Sequence, residues 1–311
     1  MFKKIFVFLQ NNKINYKTIM KKVQWILVLV LSFLTLGKLQ AQSESKVYDA
    51  LTIKSSILGE DRKYAVYLPA GYEDSQRSYP ILYLLHPAGP RGTEPNQQAW
   101  IYYGELKQYM DKAIANGEIT PMVIVTPDAN FGTVRRSYYN DADGKFNFED
   151  FFFKEFMPYV EKTYRVRTDK NSRAIAGASA GGGGAIYYAF HHPELFSVCC
   201  GLSAAVREWQ DANMQNRYPD VSESKLKEWF KTYDVFNIIR NMPDNEKNQF
   251  KFYMTCGDDD ALSVNNAALH DVMNKAGFKH EFRIKDGAHD WKYWRKITPD
   301  FMTYISDSFR Q

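Results

Sequence analysis

The chain has 311 residues and a formal net charge of +4, but its first 41 residues carry seven lysines and no acidic residue. The remaining 270 residues therefore have a net charge of −3, so the basic pI belongs largely to the N-terminal segment and indicates nothing about nucleic acid, and no nucleic-acid partner is predicted. Three cysteines, Cys199, Cys200 and Cys256, are too few for a disulfide framework, and a hydrophobic content of 45% is enough for one large domain with a substantial core.

The N-terminal segment has the layout of a signal peptide. Residues 25–36 form an uncharged apolar run behind the basic residues Lys17, Lys21 and Lys22, and Ala41 offers a small residue for cleavage. The run is shorter than the stretch of about 20 apolar residues that spans a bilayer. We therefore predict a signal peptide over residues 1–41, with translation starting at Met1 or Met20, and a secreted mature protein, periplasmic or extracellular, without stable membrane insertion. A retained N-terminal anchor is the alternative.

Strand patterns alternate with helical patterns in the rest of the chain. Strands are predicted over residues 62–68, 81–85, 122–125, 173–176, 197–202, 251–255 and 281–284, and helices over residues 100–116, 149–164, 183–191 and 290–309. This alternation predicts an α/β fold with a mostly parallel central sheet and helices on both faces. Residues 206–250 lack strand patterns and contain polar helical stretches. We therefore interpret residues 42–311 as a single domain that carries a helical insertion.

A G-x-S-x-G pattern at residues 177–181 lies directly between a predicted strand and a predicted helix. Such a turn is so tight that Gly177 and Gly181 are needed to avoid clashes, and it exposes the hydroxyl of Ser179 above the sheet. The helix that follows points its N-terminus at the same place, which favours developing negative charge. Ser179 is therefore the predicted nucleophile.

A serine hydroxyl needs a base that takes its proton and a carboxylate that holds the base. His289 is the histidine in a loop after the last predicted strand, and strand ends build the sites of such sheets. His191 and His192 end the helix after Ser179, where a structural role is predicted. The acidic residues 258–260 also follow a strand, so three candidates for the acid stay open at this point.

The order Ser, Asp, His, each after a strand, is the order found in α/β hydrolases. An oxyanion hole is expected to contain the backbone N–H of Ala180 and a second N–H from the loop after residues 81–85. Because Pro87 has no N–H, we assign the second donor to Ala88. The acidic triplet lacks the ligand spacing and terminal Glu of a calcium loop, so no metal site is predicted.

These motifs resemble those of the esterase D-like α/β hydrolases, which include feruloyl and acetyl-xylan esterases of carbohydrate esterase family 1. The likeness covers nearly all of residues 47–309. It lies in V-Y-L-P at 66–69, Y-P-I-L-Y-L-L-H at 79–86, P-M-V-I-V at 121–125, G-A-S-A-G-G-G-G at 177–184, C-G-D-D-D at 256–260 and H-D-W at 289–291 with Trp294.

In that family the last Asp of the acidic stretch is the triad acid, so the resemblance selects Asp260. It also implies an α/β-hydrolase fold, no cofactor, and activity on esters attached to plant polysaccharides. The sequence departs from the family's pattern in two places. Pro87 and Ala88 stand where the family usually has two glycines, and Ala180 stands where Met is common, so the oxyanion hole and pocket floor are expected to differ in shape.

The combined prediction is a secreted serine carboxylic-ester hydrolase that works through an acyl-enzyme on acyl or feruloyl esters of carbohydrates. Its only predicted partner is the small-molecule or carbohydrate ester substrate. His86, at the end of a central strand, and Trp100, an aromatic ring suited to stacking, are predicted to contact that substrate. The alternatives are an acyltransferase of the same fold and a catalytically silent carbohydrate-binding protein.

Overall fold

The computed structural model describes residues 20–26, 43–88, 96–129 and 138–310. The chain divides into two units, Met1–Gln42 and Ser43–Gln311. Residues 20–26 are helical, and the rest of the predicted signal peptide lies outside the described residues. No helix in the described part of the chain combines the length and apolar character that crossing a membrane requires.

The second unit is built around an eight-stranded sheet. Its strands are β1 (Lys46–Ser55), β2 (Glu60–Leu68), β3 (Ile81–Leu85), β4 (Val123–Pro127), β5 (Arg173–Ala178), β6 (Val198–Leu202), β7 (Lys251–Gly257) and β8 (Glu281–Lys285). Their order in the sheet is β1-β2-β4-β3-β5-β6-β7-β8. Strand β2 is antiparallel to both of its neighbours, and the strands from β4 to β8 are parallel. The predicted α/β fold with a mostly parallel sheet is therefore confirmed.

Eleven α-helical segments lie in the described part of this unit. They are α1 (Ala99–Tyr102), α2 (Leu106–Ala115), α3 (Phe148–Phe151), α4 (Met157–Thr163), α5 (Ala180–His191), α6 (Trp209–Ala212), α7 (Met214–Arg217), α8 (Glu223–Tyr233), α9 (Val235–Asn241), α10 (Ser263–Lys275) and α11 (Trp291–Phe309). A single π-helical turn, Phe152–Phe156, joins α3 to α4. The helix predicted over residues 100–116 is two helices, because Glu105 has a left-handed backbone with φ of 52°.

Apolar layers cover both faces of the sheet. Along β3, Ile81 and Tyr83 pack with residues of α5, including Ile186, on one face. Leu82 packs with residues of α11, including Phe301, on the other face. Because both faces are buried, the central strands are continuous apolar runs rather than alternating ones.

The helices α6 to α9 lie between β6 and β7, within the segment predicted as an insertion. A separate small apolar cluster is formed by Tyr218, Val221 and Leu226 of this segment together with Ala142. Part of this segment therefore packs in a small satellite cluster, whereas Val235, Phe236 and Ile239 of α9 belong to the main core.

Candidate active site

Ser179 lies in the turn that joins β5 to α5. Its backbone φ is 55°, a conformation that residues other than glycine rarely adopt. The Ser179 N–H donates to the carbonyl of Leu202 at 2.9 Å, and its own carbonyl accepts from the N–H groups of Gly183 at 3.0 Å and Ala205 at 2.9 Å. These backbone bonds hold the strained turn and position the Ser179 hydroxyl at the carboxyl end of the sheet.

The two glycines of the turn are required by close backbone contacts. A Cβ on Gly181 would lie 2.5 Å from the carbonyl oxygen of Leu85 and 2.6 Å from that of His86. A Cβ on Gly177 would collide with the backbone of Gly181. The loop that follows β3 therefore packs directly on the first turn of α5, which a larger residue would prevent.

This contact brings together the two segments that carry the predicted oxyanion donors. Ala180 is the first residue of α5, and Ala88 lies two residues beyond His86 in the loop after β3. The N-terminal N–H groups of a helix have no partner within the helix and favour negative charge. The assignment of both N–H groups as oxyanion donors stays a prediction.

His289 lies in the loop between β8 and α11. Its Nε2 is 2.8 Å from Oγ of Ser179, and its Nδ1 is 2.8 Å from Oδ2 of Asp260. Because an ionised carboxylate is only an acceptor, Nδ1 carries the proton and donates it to Asp260. This tautomer leaves Nε2 as an acceptor that faces the serine hydroxyl, which is the arrangement a general base needs.

The structure distinguishes the three acidic residues that the sequence left open. Asp258 is exposed, and its Oδ1 accepts from the N–H of Gly287 at 3.0 Å. Asp259 is also exposed, and its N–H donates to the carbonyl of Gly287 at 3.1 Å. Asp260 alone is buried and reaches His289. The first two acids therefore join the acid loop to the histidine loop, and the third contacts the imidazole.

Asp260 stays ionised although it is buried. Burial by itself raises the pKa of its carboxyl. Hydrogen bonds from His289, from the N–H of Leu262 at 2.8 Å and from Ser203 lower the pKa by more than burial raises it, so the pKa lies below its usual value of 3.8. A carboxylate that stays charged orients the imidazole and stabilises the imidazolium that forms when His289 takes a proton.

Ser203 is a site residue that the sequence analysis missed. It directly follows β6, is fully buried, and has a φ of 45°. Its N–H donates to the carbonyl of Thr255 at 2.7 Å, its Oγ accepts from Nε1 of Trp294 at 3.2 Å, and its hydroxyl bonds to Asp260. The ring of Trp294 lies edge-on to that of His289, with 5.2 Å between centroids. The sequence signal that could have identified Ser203 is a polar residue directly after a buried strand.

The structure corrects the prediction that His86 and Trp100 contact substrate. His86 is 1% exposed, its Nδ1 donates to the carbonyl of Pro87 at 2.8 Å, and its Nε2 accepts from the N–H of Ala129 at 3.0 Å. Trp100 is fully buried, and its Nε1 donates to the carbonyl of Leu85 at 3.0 Å. Both side chains bond to backbone groups in the core, so neither presents a surface to a ligand.

Comparisons with known proteins agree with this architecture. A family model described as a putative esterase matches residues 55–301. A solved ferulic acid esterase is 32% identical, with a TM-score of 0.75 and an alignment that covers 86% of this chain and 100% of that chain. A feruloyl esterase module from Clostridium thermocellum, complexed with sinapinate, is 22% identical, with a TM-score of 0.61 over 84% of this chain and 88% of that chain. At that identity, the likeness concerns the fold.

Among curated relatives, an endo-1,4-beta-xylanase/feruloyl esterase from Xylanibacter ruminicola is 28% identical over 262 residues. The alignment covers 79% of this chain and 29% of the relative. The chain therefore matches less than a third of the length of that relative.

Proposed function

Because the chain belongs to the putative esterase family, we propose that it hydrolyses carboxylic esters through an acyl-enzyme formed on Ser179. Family membership and the likeness to a ferulic acid esterase confirm the resemblance to esterase D-like hydrolases that the motifs indicated. The observation that carries the proposal is the hydrogen-bonded line from Ser179 through His289 to Asp260.

In the first half of the reaction, Oγ of Ser179 attacks the ester carbonyl carbon while Nε2 of His289 takes the hydroxyl proton. The carbonyl electron pair moves to its oxygen, and the N–H groups of Ala88 and Ala180 donate to the resulting oxyanion. Asp260 stabilises the imidazolium. The tetrahedral intermediate then collapses, the alcohol leaves with the proton from His289, and the acyl group stays on Ser179.

In the second half, a water molecule takes the place of the departed alcohol. His289 removes one of its protons as the water oxygen attacks the acyl carbon, and the same donors hold the second oxyanion. Collapse releases the carboxylic acid, and Ser179 recovers its proton from His289. The cycle needs no group other than water and the residues of this chain.

The proposed substrates are acyl or feruloyl esters of carbohydrates. Relatives whose names include feruloyl or ferulic acid esterase support this choice. So does an aromatic surface beside the histidine loop. Tyr103 is 63% exposed and its ring lies 5.8 Å from that of partly buried Trp291, whose ring contacts Trp294 at 5.0 Å. Exposed aromatic rings suit stacking on a phenolic acid or a sugar.

We also propose that the protein is secreted. The basis is the basic segment and the short apolar run before Ala41. Under this proposal the mature protein begins at residue 42, next to the boundary at which the chain divides into two units. Mass spectrometry of protein recovered from the culture medium or periplasm tests this start, and recovery of the uncleaved chain in the cytoplasm would contradict it.

The central experiment compares wild type and Ser179→Ala on p-nitrophenyl acetate, methyl ferulate and feruloylated xylo-oligosaccharides. Loss of the nucleophile should lower kcat by on the order of 10⁴-fold or more. A fluorophosphonate probe should label wild type and leave the variant unlabelled, whereas a silent binding protein would be unlabelled in both forms. Equal ester hydrolysis by both proteins would reject the role of Ser179. Analysis of products with added sugar acceptors separates hydrolysis from acyl transfer.

The substrate class has a separate test in Trp291→Ala. Removal of the ring should raise the KM for methyl ferulate several-fold and leave that for p-nitrophenyl acetate nearly unchanged, because the acetyl group carries no aromatic ring on the acyl side. Tyr48→Ala, which removes an exposed tyrosine on edge strand β1, is the matched control. Equal KM values for wild type and Trp291→Ala would reject a substrate contact at this surface.

A further inference from the structure

A second cluster of chemically reactive side chains lies away from Ser179. In the part of the chain that the structure describes, Glu149, His191 and His192 form the one group of three such residues whose potential ligand atoms converge. One carboxylate oxygen and two imidazole nitrogens lie within 4.8 Å of one another. Glu149 belongs to α3, His191 ends α5 and His192 follows it.

Two imidazole nitrogens face the same oxygen of this carboxylate. Nδ1 of His191 is 2.7 Å and Nε2 of His192 is 3.5 Å from Oε1 of Glu149. A simple ion pair needs only one of these contacts. Two nitrogen donors and one oxygen donor that converge on one point form the ligand set of a borderline divalent metal ion.

Two tyrosine hydroxyls contact the carboxylate, and that of Tyr187 also lies 2.6 Å from Nδ1 of His191. Tyr187 donates to Oε1 of Glu149 at 3.0 Å, and Tyr233 donates to Oε2 at 3.2 Å. The side chain of Glu149 is 8% exposed, whereas those of His191 and His192 are 42% and 28% exposed. Hydrogen bonds thus hold the carboxylate in place, as is usual for metal-binding carboxylates, and the partly exposed histidines leave room for entry of an ion.

We propose that Glu149, His191 and His192 bind a divalent transition-metal ion of the zinc type, with water as the fourth ligand. Ligand bonds of about 2.0–2.2 Å place tetrahedral donors roughly 3.3–3.5 Å apart, so small side-chain rotations are sufficient. The hard ions Ca²⁺ and Mg²⁺ prefer oxygen ligands and fit this set poorly. Binding displaces the proton that His191 shares with Glu149.

The location makes this site structural. Helix α5 begins directly after Ser179 and ends at His191, so the ion would lie about 18 Å along the helix axis from the nucleophile. Tyr233, which holds the carboxylate, is the last residue of α8 in the insertion. A bound ion would therefore stabilise the contact between the insertion and the far end of the nucleophile helix.

The test uses purified protein that has been treated with a chelator and then titrated with ZnCl₂. Calorimetry should detect one tight site per chain, and saturating zinc should raise Tm by on the order of 5 °C. His192→Ala should lose both responses although it keeps the 2.7 Å pair of His191 with Glu149. His270→Ala should respond like wild type, because His270 belongs to another histidine pair, with His280 at 2.7 Å.

Each outcome decides for or against the site. Comparing each variant with and without zinc cancels any change in the stability of the metal-free protein. Co²⁺ gives a second readout, since a four-coordinate complex should show intense visible absorption in wild type and not in His192→Ala. Absence of saturable binding, or binding that is equal in wild type and His192→Ala, would overturn the proposal and leave the cluster as an ion pair.

Discussion

Helix α5 has a histidine–carboxylate pair near each of its ends. Near the N-terminus, His289 lies 2.8 Å from Asp260, and at the C-terminus His191 lies 2.7 Å from Glu149. The two pairs have nearly the same separation, but only His289 has its second ring nitrogen against a serine hydroxyl. At the other end, Tyr187 contacts Nδ1 of His191, the nitrogen that already faces the carboxylate. A close histidine and carboxylate are therefore not sufficient for the proposed chemistry.

The helix itself contributes to this difference. Its N-terminal N–H groups favour negative charge, which suits an oxyanion, and its C-terminal carbonyl groups favour positive charge, which suits an imidazolium or a metal ion. Backbone strain is also confined to one end. Ser179 has a φ of 55° immediately before the helix, whereas His192 immediately after it has a φ of −128°. The reactive end is thus the strained one.

Among variants that test the difference between the two ends of α5, Asp260→Asn is expected to cause the largest loss of kcat. An amide in place of the carboxylate can donate to His289 and favours the tautomer in which Nε2 carries the proton. The variant should therefore lose on the order of 10⁴-fold in kcat. Glu149→Gln makes the same chemical change at the far end of α5 and should lower kcat by less than tenfold. Steady-state kinetics with p-nitrophenyl acetate would contradict this view if the two losses were equal.

A smaller effect on kcat is expected from Gly181→Ala. The added methyl would lie 2.5 Å from the carbonyl oxygen of Leu85, so the start of α5 must shift. A displacement of about 1 Å at the nucleophile should cost roughly 10²-fold in kcat, and overpacking should lower the free energy of unfolding by about 1–3 kcal/mol. Urea denaturation and kinetics measure the two effects. Wild-type values of both would show that the contact is not tight.

Ser203→Ala, near the N-terminal end of α5, should cause a moderate loss of stability and of kcat. It removes a hydrogen bond to the buried Asp260 and the acceptor of Nε1 of Trp294. The free energy of unfolding should fall by about 1.5–3 kcal/mol, and kcat by roughly tenfold. Ser197→Ala, at the opposite end of β6, is the matched control and should leave kcat unchanged. A loss of stability without any loss of kcat would assign Ser203 a purely structural role.

The pH dependence of stability should distinguish Asp260 from its asparagine variant. The pKa of Asp260 is lowered in the folded protein, whereas an unfolded Asp titrates near about 3.9. The ionised carboxylate therefore contributes stability that is fully present above about pH 4 and is lost as the pH falls through the folded-state pKa. The difference in unfolding free energy between wild type and Asp260→Asn should shrink below about pH 4. Denaturant titrations in which this difference stays constant across the pH range would contradict the prediction.

The smallest effect is expected from Tyr233→Phe at the far end. The variant removes one of the tyrosine hydroxyls that donate to Glu149. In chelator-treated protein the free energy of unfolding should fall by about 1 kcal/mol, with kcat within about twofold of wild type. Urea denaturation checks the first value and ester hydrolysis the second. A tenfold loss of kcat would mean that the two ends of α5 are not independent.

Much of the fold followed from local patterns. Residues 81–85 are a continuous apolar run, and residues 174–176 are another behind Arg173; both form central strands because both faces of the sheet are covered. Strand β1 was not predicted, since most of its residues are exposed or half-buried and its pattern is weak. The break between α1 and α2 was also missed, because it depends on the backbone conformation of Glu105.

The sequence by itself determined the order of the chemical groups and the sheet edge at which they lie. Ser179, Asp260 and His289 each follow a strand, and parallel strands end at a common edge. Only the tertiary structure decided which side chains are buried and where they point. It buried Trp100 and brought Glu149 to His191, because burial and direction depend on contacts between segments that are distant along the chain.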